Sequence, residues 1–210
     1  MGITERKERE KQQRREEIVL AAEKVFFSRG FEKSTMDDIA EAAELSKGTI
    51  YLYFKSKEDL HIAVARKAIV MLNSITDSVK KAGGNALEKL IHMGRACIRF
   101  SETHPDHMKA IMTLEGFDFQ IISYSLKELQ EMILKESPVG MVIQIVEQGV
   151  KEKLIRDDIA PPLIAHTLWM QVLSVIRFVT MKKSLFEMLE LSPAQVYESH
   201  FELVLNGIRK

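Results

Sequence analysis

LSKGTIYLYFKSKEDL, residues 45–60, holds three lysines and two tyrosines before its first acid, Glu58. Thirty basic and thirty acidic residues cancel over the whole chain, so net charge favours no class of partner and only local distribution is informative. Within this stretch Ile50 and Phe54 stand at i and i+4 and form the inward pair of a short helix capped by Ser46. Lys47, Gly48, Thr49, Tyr51, Leu52 and Tyr53 are left for its other sides and its first turn. A lysine supplies a mobile charge, a threonine a hydroxyl and a methyl, and a glycine lets the backbone approach a groove closely. Lys57 follows a second cap, Ser56, at the positive end of the next helix, where the dipole disfavours it and a phosphate would relieve the conflict.

Upstream, Thr35 with Asp38 gives a capping-box start to a helix that buries Met36, Ile39, Ala40 and Ala43 and stops near Glu44. Before it, Ile18, Ala22, Val25 and Phe26 make one apolar stripe on a helix that Gly30 can end. Two short helices joined by a tight turn, the second rich in phosphate- and base-bonding groups, form the pattern of a helix-turn-helix reader of duplex DNA. Downstream, Ser56 and Asp59 open a long helix carrying Leu60, Val64, Ala68, Met71, Ile75 and Val79. Gly83-Gly84 breaks it, and Asn85 with Glu88 starts another that bears Leu90, Met93, Cys97 and Phe100. Pro105, Pro138 and Pro161-Pro162 divide the remainder into further helices. The only strand candidate is FDFQIISYS, residues 117–125.

The expected fold is therefore all-α: an N-terminal three-helix helix-turn-helix domain (residues 1–60), joined by a long helix to a larger helical domain (residues 61–210). The 210 residues suffice for both. One cysteine, Cys97, excludes an internal disulfide and fits a reducing compartment. The charged N-terminus lacks the apolar run of an export signal. The most apolar segment, residues 161–181, is interrupted by His166, Gln171 and Arg177 and reads as a buried helix, so no membrane partner is expected. Residues 1–15 carry six basic against three acidic side chains, which fits a solvated helix face as well as a nucleic-acid contact.

Residues 14 to about 60 resemble the DNA-binding domain of the tetracycline-repressor (TetR) family. The resemblance is carried by Ile18-Val19-Leu20-Ala21-Ala22, Phe26, Gly30-Phe31, Thr35, Ile39-Ala40, Ser46-Lys47-Gly48-Thr49-Ile50-Tyr51, Tyr53-Phe54, Lys57 and Leu60. It implies phosphate contacts from Thr35, Tyr51, Tyr53 and Lys57, and base contact or approach from Lys47, Gly48, Thr49 and Leu52. Ser46 either joins that surface or acts as a cap alone, and Tyr51 alternatively packs on the first helix. Leu52 departs from the usual chemistry, since it can read only a thymine methyl or groove shape. The resemblance further implies a cytoplasmic homodimer paired through its last two helices, bound to an operator as a repressor and released by a small hydrophobic effector.

Those last helices carry Ile164, Leu168, Val172, Val175, Ile176 and Val179, then Tyr197, Phe201, Val204, Leu205 and Ile208, a set that serves either a dimer seam or the core of one chain. Met93, Cys97, Phe100, Met108, Met112, Phe117, Phe119, Met141, Trp169 and Met170 concentrate adaptable and aromatic groups in the middle of the chain. Read singly they are core. Together with the resemblance they suggest an effector pocket, with Met93, Cys97, Phe100, Met112, Phe117, His166 and Trp169 as lining, and His166, Gln144 or Arg99 as polar anchor. His104 and His107 flank Pro105-Asp106 without a recognised metal spacing, and no nucleophile elbow, phosphate loop or HExxH occurs, so no cofactor, metal or enzymatic activity is expected. The competing reading is a helical protein-interaction module whose helix-turn-helix is structural only. Such a module has no need of an acid-free segment from 45 to 57.

Overall fold

The computed structural model describes residues 2–81, 83–114, 116–117 and 123–210. Among the described residues the chain is all-helical: α1 (Ile3–Arg29), α2 (Met36–Ala42), α3 (Lys47–Tyr51), α4 (Lys57–Lys81), α5 (Ala86–Thr103), α6 (Pro105–Leu114), α7 (Leu126–Glu131), a π-helical turn (Met132–Glu136), α8 (Pro138–Lys151), α9 (Pro161–Met181), α10 (Lys183–Met188) and α11 (Pro193–Ile208). One isolated antiparallel bridge joins Ile155 to Arg209. Most of the strand candidate at 117–125, with Phe119, falls outside the described residues.

The expected caps form. Asn85 Oδ1 accepts from the Glu88 amide (3.1 Å) while the Glu88 carboxylate accepts from the Asn85 amide (2.9 Å), and prolines occupy the first turns of α8 and α9. The first helix begins at Ile3, far ahead of Ile18, its first buried residue, and so takes in the charged run at residues 1–15. Pairs one turn apart, Arg6–Glu10 (2.8 Å), Gln12–Glu16 (2.8 Å) and Arg14–Glu17 (2.7 Å), support that polar half. A segment that buries nothing has no apolar period to detect.

Two compact units divide the chain. The first comprises Met1–Ala68 and Asp106–Leu126; the second comprises Ile69–Pro105 and Lys127–Lys210. In the first, Ile18, Ile39, Ile50, Leu60 and Val64 are fully buried, and Phe26, Phe54 and Ala110 pack with them. Each large aliphatic side chain there contributes about 1.5–3 kcal/mol of burial energy. Ser56 Oγ accepts from the Asp59 amide (3.0 Å), as its cap signature predicts. The buried Asp59 carboxylate is turned elsewhere, accepting from the Ser123 amide at 2.9 Å, so this acid ties α4 to the returning segment and not to its own cap.

His61 is also buried, with Nε2 3.0 Å from the Ala110 carbonyl and the rings of Phe26, Phe31 and Phe117 around it. Burial is the main cause that holds its pKa below the ordinary 6.5; Lys57 acts in the same direction, and the Ala110 carbonyl and Glu58 oppose it. The unfolded chain therefore binds this proton more readily than the folded one, and the folded state loses stability as pH falls below 6.5. Melting temperature should drop between about pH 7.5 and about pH 5.5. In His61→Phe the drop should be visibly shallower, which differential scanning calorimetry at matched ionic strength will measure; an identical pH profile would place the titration elsewhere.

In the second unit α5, α8, α9 and α11 surround an apolar interior. Glycines allow close approaches: a Cβ at Gly94 would lie 2.4 Å from the Phe201 ring, one at Gly140 2.0 Å from the Leu134 carbonyl oxygen, and one at Gly149 2.5 Å from Ile155 Cδ1. By length and composition α9 could cross a membrane. One of its faces, with Ile164, Trp169, Val172, Ile176 and Val179, is buried within the unit. Leu163, Met170, Phe178 and Met181 are exposed on the other. The apolar set read as a dimer seam is thus largely internal to one chain: Ile164, Val172, Ile176, Val179, Tyr197, Phe201 and Leu205 are all buried in it.

Candidate nucleic-acid interface

The capping box at Thr35 sets the direction of α2. Thr35 Oγ1 accepts from the Asp38 amide (3.2 Å) and donates to Asp38 Oδ2 (2.7 Å), which also accepts from the Thr35 amide (2.9 Å). The Thr35 hydroxyl and amide, with Arg29 adding its charge, hold the Asp38 carboxyl below its ordinary pKa. After Ala43 the chain turns through Glu44, which adopts a left-handed φ of 54°, and Leu45 N–H closes the turn on the Ala40 carbonyl at 3.0 Å. Such a φ is uncommon outside glycine and costs a non-glycine residue about 1 kcal/mol or more.

Ser46 then starts α3, its Oγ accepting from the Thr49 amide (3.1 Å) and lying 2.8 Å from Thr49 Oγ1. Ser46 is a cap, as its position suggests, and its hydroxyl is engaged with Thr49. Ile50 and Phe54 are buried, which directs the remaining side chains outward. Lys47 and Gly48 are exposed, Tyr51 is 45% exposed and Leu52 81%. Tyr51 thus presents part of its ring to solvent, whereas Tyr53 is half-buried against the helix-turn-helix core. Nothing in the fold requires a glycine at 48: an added Cβ would meet only Ser46 Oγ at an ordinary 3.8 Å. Gly48 and Leu52 stand one turn apart on this outer face, so the backbone of α3 can approach another surface closely there.

Charge on this surface is held in place by partners that spacing did not reveal. Lys47 Nζ lies 2.8 Å from the Asp37 carboxylate, and this hydrogen bond raises its pKa. Lys57 Nζ donates to the Phe31 carbonyl at 3.0 Å, approaches the Glu32 carbonyl at 3.5 Å, and sits 4.3 Å from the Phe31 ring centroid. Two carbonyls and a ring face thus answer the conflict between Lys57 and its helix dipole inside the fold. Arg15, within the charged run at residues 1–15, places its guanidinium 4.7 Å from the Phe54 ring centroid, just past the end of α3.

The residues expected to line an effector pocket separate into the two units. Met93, Cys97 and Trp169 meet in a cavity of about 50 Å³ in the second unit, with Leu90, Ile91, Gly94, Val142, Leu168, Val172, His200, Phe201, Val204 and Leu205. Burial pushes the Cys97 thiol up to about 12 and lowers the pKa of His200, the only imidazole in the lining. Phe100 is buried but stacks on His104, with ring centroids 5.0 Å apart. His166 lies on the exposed side of α9 with Nδ1 2.8 Å from the Pro162 carbonyl, and Gln144 and Arg99 are likewise exposed. Met112 and Phe117 belong to the first unit, where Phe117 packs on Phe31 and His61. So does His107, which lies edge-on to Phe27 with Nε2 3.6 Å from Glu23 Oε1.

Comparison with known proteins bears on this surface directly. The sequence model of the family described as bacterial regulatory proteins, tetR family, matches residues 18–64, the segment that builds it. The HTH-type transcriptional repressor KstR2 of Mycolicibacterium smegmatis is 28% identical over 170 residues, covering 76% of this chain and 78% of its own. The fatty acid metabolism regulator protein of Bacillus subtilis is 26% identical over 192 residues, 91% of this chain and 94% of its own. In fold, a tetR-family transcription regulator from Shewanella sp. PV-4 superposes with a TM-score of 0.71 at 16% identity, covering 94% of this chain and 98% of that one. With a helix-turn-helix of this sequence and geometry on an all-helical body of this fold, the chain belongs to the tetR family of DNA-binding transcriptional regulators, a family of regulators and not of enzymes.

Proposed function

We propose that the chain is a cytoplasmic, homodimeric repressor that reads a palindromic operator with one α3 per subunit and leaves it when a small apolar molecule enters the second unit. The observation that carries this reading is the outward face of α3, where Gly48 is left unfilled without need and Leu52 is 81% exposed. Lys47, Thr49 and Leu52 then meet base edges, while Thr35, Tyr51, Tyr53 and the remaining donor capacity of Lys57 meet phosphates. One five-residue helix captures too few bases for genomic selectivity, and a second copy supplies the rest. The exposed apolar face of α9, with Leu203 of α11, supports pairing through these two helices. Repression agrees with the name of the relative KstR2, and an apolar effector with that of the fatty acid metabolism regulator.

The cavity holding Met93, Cys97 and Trp169 measures about 50 Å³, whereas drug-sized ligands occupy roughly 300–1,000 Å³. An effector must therefore part Trp169, Met93 and Phe201, and methionine repacks readily enough to allow it. Such a ligand acts only through a difference in its affinity for the DNA-competent and released states, typically about 1–3 kcal/mol. The test is selection of duplexes from a random pool by the full chain, followed by gel shift. The selected sites should be palindromic, with half-sites about 10 bp apart or a multiple of that, and affinity should fall steeply with salt. Saturating fatty acids or sterols should weaken binding by about 5- to 150-fold. Recovery of no enriched site would remove the operator reading; selected sites indifferent to every apolar ligand would remove the effector.

A further inference from the structure

We propose that the overhang of α1, residues 3–17, is a second DNA-contacting element that lies along the duplex flanking each half-site. This rests on the reading of α3 as the half-site reader. The overhang contributes nothing to the core: every described side chain from residue 4 to 14 is exposed. A helix of this length without tertiary packing is marginal in water, and its one-turn ion pairs account for its form but not for its presence.

One face of it is basic. Lys7, Lys11 and Arg14 follow one another at i, i+4 and i+7, and Ile18 continues the same line at i+11. The basic stripe is thus a prolongation of the face by which α1 packs on the helix-turn-helix core. By helical geometry Glu16 falls opposite Lys7 and Glu5 opposite Arg14; Lys7 and Lys11 have no ion-pair partner among the described residues, and Arg14 holds Glu17 at 2.7 Å in an exposed pair that a phosphate can displace. At the root of the overhang Arg15 is seated over the Phe54 ring, 4.7 Å from its centroid, which fixes the stripe beside the end of α3. Fifteen helical residues extend about 22 Å, the length of roughly six base pairs. A cationic line of that reach, rooted beside a DNA reader, complements a phosphate backbone.

The test uses the full chain and a duplex it has selected, prepared with about 10 bp beyond each half-site and again with those flanks trimmed. The combined variant Lys7→Gln, Lys11→Gln, Arg14→Gln keeps residues of good helix propensity. On the flanked duplex it should bind about 10- to 100-fold more weakly than wild type, with a salt slope shallower by about two to three per subunit. Trimming should weaken the wild type by a similar factor and leave the variant unchanged. A variant with wild-type affinity and slope on the flanked duplex, while Gly48→Glu still abolishes binding, would overturn the overhang and leave the α3 reading intact. A loss in the variant that is the same on trimmed duplex would overturn its placement on the flanks. If Gly48→Glu binds normally and the triple variant does not, the α3 reading fails and the overhang stands as the DNA contact.

Discussion

Gly48→Glu lowers duplex affinity by at least about a hundredfold and leaves the melting temperature within about 2 °C of wild type. The two halves of that outcome have separate causes. On the fold, the new Cβ meets only Ser46 Oγ at 3.8 Å, glycine is a poor helix former, and an acid in a first helical turn is favoured by the dipole. The substitution therefore costs the folded state nothing and adds a few tenths of a kcal/mol. On the DNA, with α3 seated as proposed, the same carboxylate would be desolvated against phosphates and acceptor-rich base edges. Scanning calorimetry and gel shift on the selected duplex measure the two effects independently. Normal binding by a normally folded variant would take α3 out of the groove.

Leu203→Glu should convert the dimer to a monomer and cut operator affinity by about a thousandfold or more, since each half-site would then be bound alone. Leu203 is 72% exposed on α11, and Gly207, one turn on, has open space around it where another backbone can approach. A charge buried in an apolar seam without a partner is strongly unfavourable, whereas at an exposed position of a lone subunit it is harmless. The monomer should thus remain folded. Phe201 cannot serve as this probe, because its ring packs over Gly94 inside the subunit; a charge there would break the unit and report nothing about pairing. Sedimentation equilibrium decides the matter, and a stable Leu203→Glu dimer would move the interface to another surface.

The helix-turn-helix was legible in the sequence because its determinants act over one turn of chain. Thr35 with Asp38, Ser46 before Lys47 and Asn85 with Glu88 are signals between residues three apart or fewer, and a capping oxygen meets the same amides whatever the rest of the molecule does. The inward pair Ile50 and Phe54 followed from helical periodicity alone. These local rules determined the helix-turn-helix, and the residues within 18–64 carried the likeness to the family.

Packing decided the rest. Lys57 found the carbonyl of Phe31, 26 residues away, Lys47 found Asp37 across the turn, and Asp59 found Ser123, 64 residues on. Spacing reveals none of these partners, because a charge in solvent and a charge on a carbonyl are written with the same letter. Residues Asp106–Leu126 joined the reading unit, which separated Met112 and Phe117 from the Met93, Cys97 and Trp169 that composition had grouped with them. On α9 apolar residues occur on two faces, and periodicity identifies both without ranking them. Only the neighbours that bury Ile164, Val172 and Ile176 left Leu163, Met170 and Met181 outside, since which face of such a helix becomes interior depends on what else in the chain comes to cover it.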